Sequence, residues 1–133
     1  MCYFGSVLGA DGSGGSDALI LAIDYAVTNG ADVINMSLSF GDHAGTIDGL
    51  EIAIENAYSK GVTIVAATGN DSFTDFVSYP ANNPYVIAVG ATDFYQNVTS
   101  YSNKGTEVEI TAPGGDISQN LSAYGYNLGG ILQ

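Results

Sequence analysis

Short runs of Val, Ile and Ala, broken by few polar residues and separated by helix-length amphipathic segments, constrain this chain most. Val33-Ile34-Asn35-Met36-Ser37-Leu38, Val62-Thr63-Ile64-Val65-Ala66-Ala67 and Tyr85-Val86-Ile87-Ala88-Val89-Gly90 are such runs. A strand with one wet face alternates apolar and polar residues, whereas one covered on both faces reads as a near-continuous apolar run. Between the runs, Ala18, Leu19, Ala22, Ile23, Ala26 and Val27 recur at helical spacing, and so do Ile47, Leu50, Ile54, Ala57 and Tyr58. Strands alternating with helices predict an α/β fold: a three-layer, mostly parallel sheet flanked by helices.

Local signals mark the element ends. Ser6-Val7-Leu8-Gly9 reads as the end of a first strand, and Asp11 to Gly15 as a loop. Ser16 is the expected cap of the first helix, with Asp17 in its first turn, and Asn29-Gly30 stops it. Ser39 to Gly45 reads as a loop, Thr46 as the cap of the second helix and Lys60-Gly61 as its end. Glu107 to Thr111 is predicted to form a shorter strand. No secondary structure is predicted for Leu121 to Gln133.

Charge excludes several functions. Fourteen carboxylates face two lysines, Lys60 and Lys104, with no arginine, for a formal net charge of −12. Nucleic-acid binding needs clustered basic side chains against phosphate, so nucleic acid is excluded as a partner. An anionic membrane would repel this surface, and no apolar run approaches the roughly 20 residues needed to span one. The opening Met1-Cys2-Tyr3-Phe4 lacks the basic and apolar regions of a signal peptide. The single cysteine, Cys2, forms neither an intrachain disulfide nor a thiolate cluster. At 133 residues the chain is read as one domain.

In a parallel sheet with right-handed crossovers, ligand chemistry sits at the carboxyl ends of the strands. Those ends are Leu8-Gly9, Ser37-Leu38-Ser39 and Thr68-Gly69-Asn70, which are small and polar. A Gly-Asn pair such as Gly69-Asn70 also suits a left-handed turn without any chemistry.

At these positions the chain resembles the subtilisin-like serine endopeptidases. Val7 to Gly14, Asp32 to Leu38 and Gly61 to Asn70 carry the resemblance. Tyr79-Pro80, Val86-Ile87-Ala88-Val89-Gly90-Ala91 and Ala112-Pro113-Gly114 continue it in order and at matching spacing. It covers about Ser6 to Gly115, most of the chain. The resemblance implies that the Asn70 amide donates to the oxyanion of a tetrahedral intermediate. It implies that Ser37, Leu38 and Ser39 form one wall of a specificity pocket and Ala67, Thr68 and Gly69 the other. Ser13, Gly14 and Gly15 would pair with the substrate's other edge. The implied partner is an extended peptide or protein substrate, held as an added strand. The family often has Gly where Ser39 stands, so a narrower mouth is expected.

Tyr79-Pro80 falls where the family has a cis-proline turn. Ala81, Asn83 and Val86 match backbone-carbonyl ligands of a weak cation site, with Glu109 near it, so weakly bound calcium is the one ion implied. No cofactor is required. Asn-X-Ser/Thr sequons stand at Asn35, Asn70, Asn97 and Asn120, of which Asn97 and Asn120 are the surface candidates.

The family's triad has no counterpart here. Its Asp and His would lie before Met1, and its Ser, in a Gly-Thr-Ser-Met-Ala type motif, after Ala112-Pro113-Gly114; that motif is absent. The sole histidine, His43, stands in a loop where the family has no catalytic one. The chain is therefore expected to be a partial peptidase domain, inactive alone, from a parent that is secreted or in the cell envelope. The alternative is a catalytically dead peptide-binding domain that keeps the groove. A nucleotide-binding domain fits worse, because no Gly-x-Gly-x-x-Gly follows a strand and opens a helix. Without the serine-bearing helix, part of one sheet face stays uncovered, which predicts self-association through apolar surface.

Overall fold

The computed structural model describes residues 7–41 and 46–115. Element order is α1 (Ser16–Thr28), β1 (Val33–Met36), α2 (Asp48–Ser59), β2 (Thr63–Ala67), β3 (Ile87–Thr92) and β4 (Val108–Pro113). The four strands form one sheet in the order β1-β2-β3-β4, and every pair is parallel. The predicted parallel α/β architecture is therefore present. Its helices, among the described residues, lie on one face.

Register explains which face is covered. Ile34 pairs with Ile64, Met36 with Ala66, and Ala66 with Ala88. These residues join Leu19 and Ile23 of α1 and Leu50, Ala53, Ile54 and Ala57 of α2 in one buried cluster. The alternate residues Val33, Thr63, Val65, Ala67, Ile87 and Val89 point to the opposite side, because side chains alternate along a strand. Neither helix packs on that side, and Val33 and Ile110 are 60% and 52% exposed.

Several ends shift from their sequence reading. Val7 to Gly9 is not a strand, and Ser6 lies outside the described residues. The chain there turns back at once: Gly9 N–H donates to the Ser13 carbonyl at 2.8 Å, and Gly12 N–H to the Gly9 carbonyl at 2.9 Å. Such a turn consumes the backbone groups a ladder would need. Gly15, not Ser16, is the cap of α1, and Ile47, not Thr46, that of α2; neither is helped by a side-chain bond. In β4, Ala88 pairs with Val108 but Val89 with Ile110, so Glu109 is an extra, bulged residue. Its carboxylate accepts the Ala88 N–H at 2.5 Å.

Between β2 and β3 the chain crosses a Tyr79–Pro80 cis peptide, as the resemblance implied. Val77, Tyr79, Ala81 and Val86 of this crossover belong to the buried cluster. His43, Asn120 and Leu121 to Gln133 lie outside the described residues.

Candidate functional site

The segment leaving β1 and the loop entering α1 meet at the carboxyl end of the sheet. Ser13, Gly14 and Gly15 line one side of an open groove of about 470 Å³, and Ser37, Leu38 and Ser39 line another, with Val7, Leu8, Leu19, Phe40 and Gly41 completing it. Two of the three predicted site segments are thus brought together. Ser13, Gly14, Gly15, Ser37 and Ser39 are exposed, whereas Leu38 packs against the core.

Each side of the groove is built locally. Asp11 Oδ1 accepts the Ser13 N–H at 3.0 Å and Oδ2 the Ser13 hydroxyl at 2.8 Å. These bonds, the backbone one first, hold the Asp11 carboxyl below its ordinary range. Gly14 is required by close approach: a Cβ there would run into the Val7 carbonyl. On the other side, Asn35 Nδ2 donates to Ser37 Oγ at 3.1 Å, and Phe40 N–H donates to the Tyr79 carbonyl at 2.8 Å.

Ala67, Thr68 and Gly69 do not line this groove. Met36 pairs with Ala66, so Ser37 and Ala67 are the next residues along neighbouring strands. Ala67 is half-buried on the helix-free face. Thr68 is 1% exposed and committed to the fold: its N–H donates to Val89, its carbonyl accepts from Ser78, and its hydroxyl meets Ser102 Oγ at 3.3 Å. Gly69 is buried at φ +107°, and a Cβ there would lie 2.5 Å from Ser78 Oγ and against Asn103 Nδ2. Asn70 follows on the turn leaving β2 and is exposed.

Sequence reasoning missed the residues that hold this turn. Asn103, 1% exposed, reaches under it. Its Oδ1 accepts the N–H groups of Asp71 at 2.9 Å and Phe73 at 3.2 Å, while Nδ2 donates to Ser78 Oγ at 3.1 Å and Asp71 Oδ2 at 3.4 Å. Ser102 Oγ accepts the Ala91 N–H at 3.1 Å, and Ser72 N–H donates to the Tyr101 carbonyl at 3.0 Å. Tyr101-Ser102-Asn103-Lys104 reads in sequence as an ordinary polar loop. Its only signal is two small polar residues between the strand runs.

Ala81, Asn83 and Val86 lie on two successive turns, closed by Asn83 N–H to the Pro80 carbonyl and Val86 N–H to the Asn83 carbonyl, and all three are buried. The Asn83 carbonyl already accepts the Val86 N–H at 3.0 Å, its Oδ1 accepts the Tyr85 N–H at 2.9 Å, and the Glu109 carboxylate is drawn to Ala88. The buried atom left without a partner there, Asn83 Nδ2, is a donor. Among the described residues no group of three His, Cys, Asp or Glu side chains is placed to hold a metal.

A family model described as the subtilase family matches residues 3–131. This chain belongs to the subtilase family. It is similar to subtilisin DY of Bacillus licheniformis, 43% identical over 115 residues that make up 84% of this chain and 41% of that protein. It is similar to the minor extracellular protease Epr of Bacillus subtilis (strain 168), 40% identical over 87% of this chain and 18% of that one. Among solved structures it resembles a cold adapted subtilisin-like serine proteinase, with TM-score 0.73 and 32% identity, covering 83% of this chain and 40% of the other. The subtilase chain therefore spans less than half the length of these relatives and corresponds to part of a serine peptidase domain.

Proposed function

We propose that this chain is the substrate-holding middle of a secreted, subtilisin-like serine endopeptidase. The groove between Ser13-Gly14-Gly15 and Ser37-Leu38-Ser39 is the observation that carries this reading. Both sides are short, largely small-residue segments at the carboxyl end of a parallel sheet. An extended peptide can lie between them, bonded through its main chain to either edge, and drop a side chain towards Leu38 and Phe40.

Asn70 supplies the electrostatic part. A neutral amide on a braced turn meets negative charge as it develops on the scissile carbonyl oxygen, without reorganising. The acyl-enzyme chemistry itself needs a serine, a histidine that takes its proton and an aspartate that orients the histidine. These come from segments corresponding to the remaining length of the relatives. The reading needs no cofactor. Secretion rests on the name of the Bacillus subtilis relative.

The 133-residue chain alone is then inactive. Incubation with casein and with a serine-directed fluorophosphonate is expected to give neither cleavage nor labelling. Labelling of one serine in proportion to the protein, lost on His43→Ala, would show a complete catalytic centre and overturn the division of labour proposed here. The peptide groove is tested by titration of the chain with extended peptides; binding weakened by Ser39→Tyr supports it, and indifference to that change opposes it.

A further inference from the structure

The turn that carries Asn70 is gripped on both sides of that residue by one buried residue, Asn103, through its main chain before Asn70 and its carboxamide after it. Asn103 N–H donates to the carbonyl of Gly69 at 3.1 Å, immediately before Asn70. Asn103 Oδ1 accepts the N–H of Asp71 at 2.9 Å, immediately after it, and that of Phe73 at 3.2 Å. The carboxamide is in turn oriented by Ser78 Oγ at 3.1 Å. Gly69 leaves the space through which Asn103 reaches, since a Cβ at that position would meet Asn103 Nδ2. Asn70 itself is exposed, so packing does little to fix its direction.

We propose that Asn103 is the positioning residue for the Asn70 donor, holding the backbone on either side of it so that its amide is aimed before charge develops. This rests on the oxyanion role proposed for Asn70. The carboxamide bonds just after Asn70, set against the main-chain bond to Gly69 just before it, restrict rotation of the turn about its own axis, and Asn103→Ala removes the first while leaving the second. A carboxamide suits the task because it accepts from two N–H groups and donates to a hydroxyl at once. Serine would be too short to accept from both Asp71 and Phe73, and aspartate would set a second charge beside the Asp71 carboxylate, 3.4 Å from the present Nδ2.

The test is a double-mutant cycle in the complete peptidase. Asn103→Ala is expected to lower kcat about tenfold or more with KM nearly unchanged, since misaiming a donor affects mainly the transition state. In an Asn70→Ala background the same change should cost almost nothing further, because Asn103 acts through a group already removed. A general loss of structure would instead multiply the two losses, and that result overturns the proposal. Ser78→Ala, which only loosens the Asn103 carboxamide, is the milder second variant and should show the same non-additivity. If Asn70→Ala alone leaves kcat intact, the oxyanion role is what fails. The 133-residue chain gives a reading independent of activity. In Asn103→Ala, the NMR order parameters of the Asn70 and Asp71 amides should fall from the rigid range near 0.85 towards about 0.6. Unchanged order there would overturn the positioning role whatever the kinetics show.

Discussion

Phe40 and Tyr79 form an isolated antiparallel bridge, with the Phe40 N–H donating to the Tyr79 carbonyl at 2.8 Å and the two ring centroids 6.3 Å apart. The groove wall that follows β1 is thereby tied to the crossover between β2 and β3. Tyr79 is 1% exposed, so the wall leans on a fixed part of the core rather than on the surface. The shape of the groove wall and the stability of the core are coupled at this one bridge.

The Tyr79 phenol makes this coupling sensitive to alkali. Burial, reinforced by the Glu51 carboxylate, pushes the phenol from 10.0 up to about 12. The folded state thus holds the proton more tightly than the unfolded one. Stability from this group is complete below pH 10 and is lost as pH rises through 12, by at most roughly 3 kcal/mol. Melting temperature is expected to fall between pH 10 and 12, and Tyr79→Phe should flatten that fall. At pH 7 the same substitution should cost about 1 kcal/mol or less in urea, because the buried hydroxyl makes no well-formed hydrogen bond to its neighbours Glu51 and Asn83. A fall of equal size in the Phe variant would remove Tyr79 as its cause.

Gly69→Ala should be among the most damaging single-methyl additions to this chain. The backbone at φ +107° disfavours any Cβ, and the new carbon would collide with Ser78 Oγ and Asn103 Nδ2. A loss of about 2–4 kcal/mol is expected from strain and overpacking together. Gly15→Ala, at an exposed position with nothing near its Cβ, is the comparison and should lose only about 0.5–1 kcal/mol, the cost of alanine at the cap of α1.

The helix-free sheet face predicts concentration-dependent association. Val33 and Ile110 are exposed there beside half-buried Val65, Ile87 and Val89. Contiguous apolar surface of this kind is rare on monomers. Light scattering on the isolated chain should show a mass that rises with concentration, and Val33→Thr with Ile110→Thr should lower it. A constant monomer mass would mean that this face is covered.

The strands and helices were legible because their patterns are periodic. Ile34, Ile64, Ala66 and Ala88 sit in apolar runs, and Leu19, Ile23, Leu50 and Ile54 fall on helical stripes. The missed features depend on contacts between distant segments. Val7-Leu8-Gly9 has a strand's composition, yet the turn bonds from Gly9 and Gly12 take its place. Glu109 stands in an apolar strand, and only the neighbouring Ala88 N–H explains it. Asn103 and Ser102 look like loop residues until the fold closes them over Gly69 and Thr68. The groove segments were legible as strand ends, whereas their meeting across about 25 residues of chain depends on the crossover through α1.

Asn70 and Ser39 should fail in different ways in the complete peptidase. Asn70→Ala is expected to lower kcat about a hundredfold or more with KM nearly unchanged, since the bond proposed for it is made mainly to the transition state; the magnitude is one known from subtilisin. Asn70→Asp should be at least as harmful, because a carboxylate of similar shape sets negative charge against a developing oxyanion where low dielectric magnifies repulsion. Ser39→Gly touches the groove instead. It removes a hydroxymethyl group from an exposed wall position and should change which side chains are accepted beside the cleaved bond, by roughly 1–3 kcal/mol in kcat/KM. The two residues lie in different segments, one on the turn after β2 and one after β1, so their effects should add. Loss of all turnover in Ser39→Gly with turnover intact in Asn70→Ala would reverse the two roles and with them the register assigned between Asp32 and Asn70.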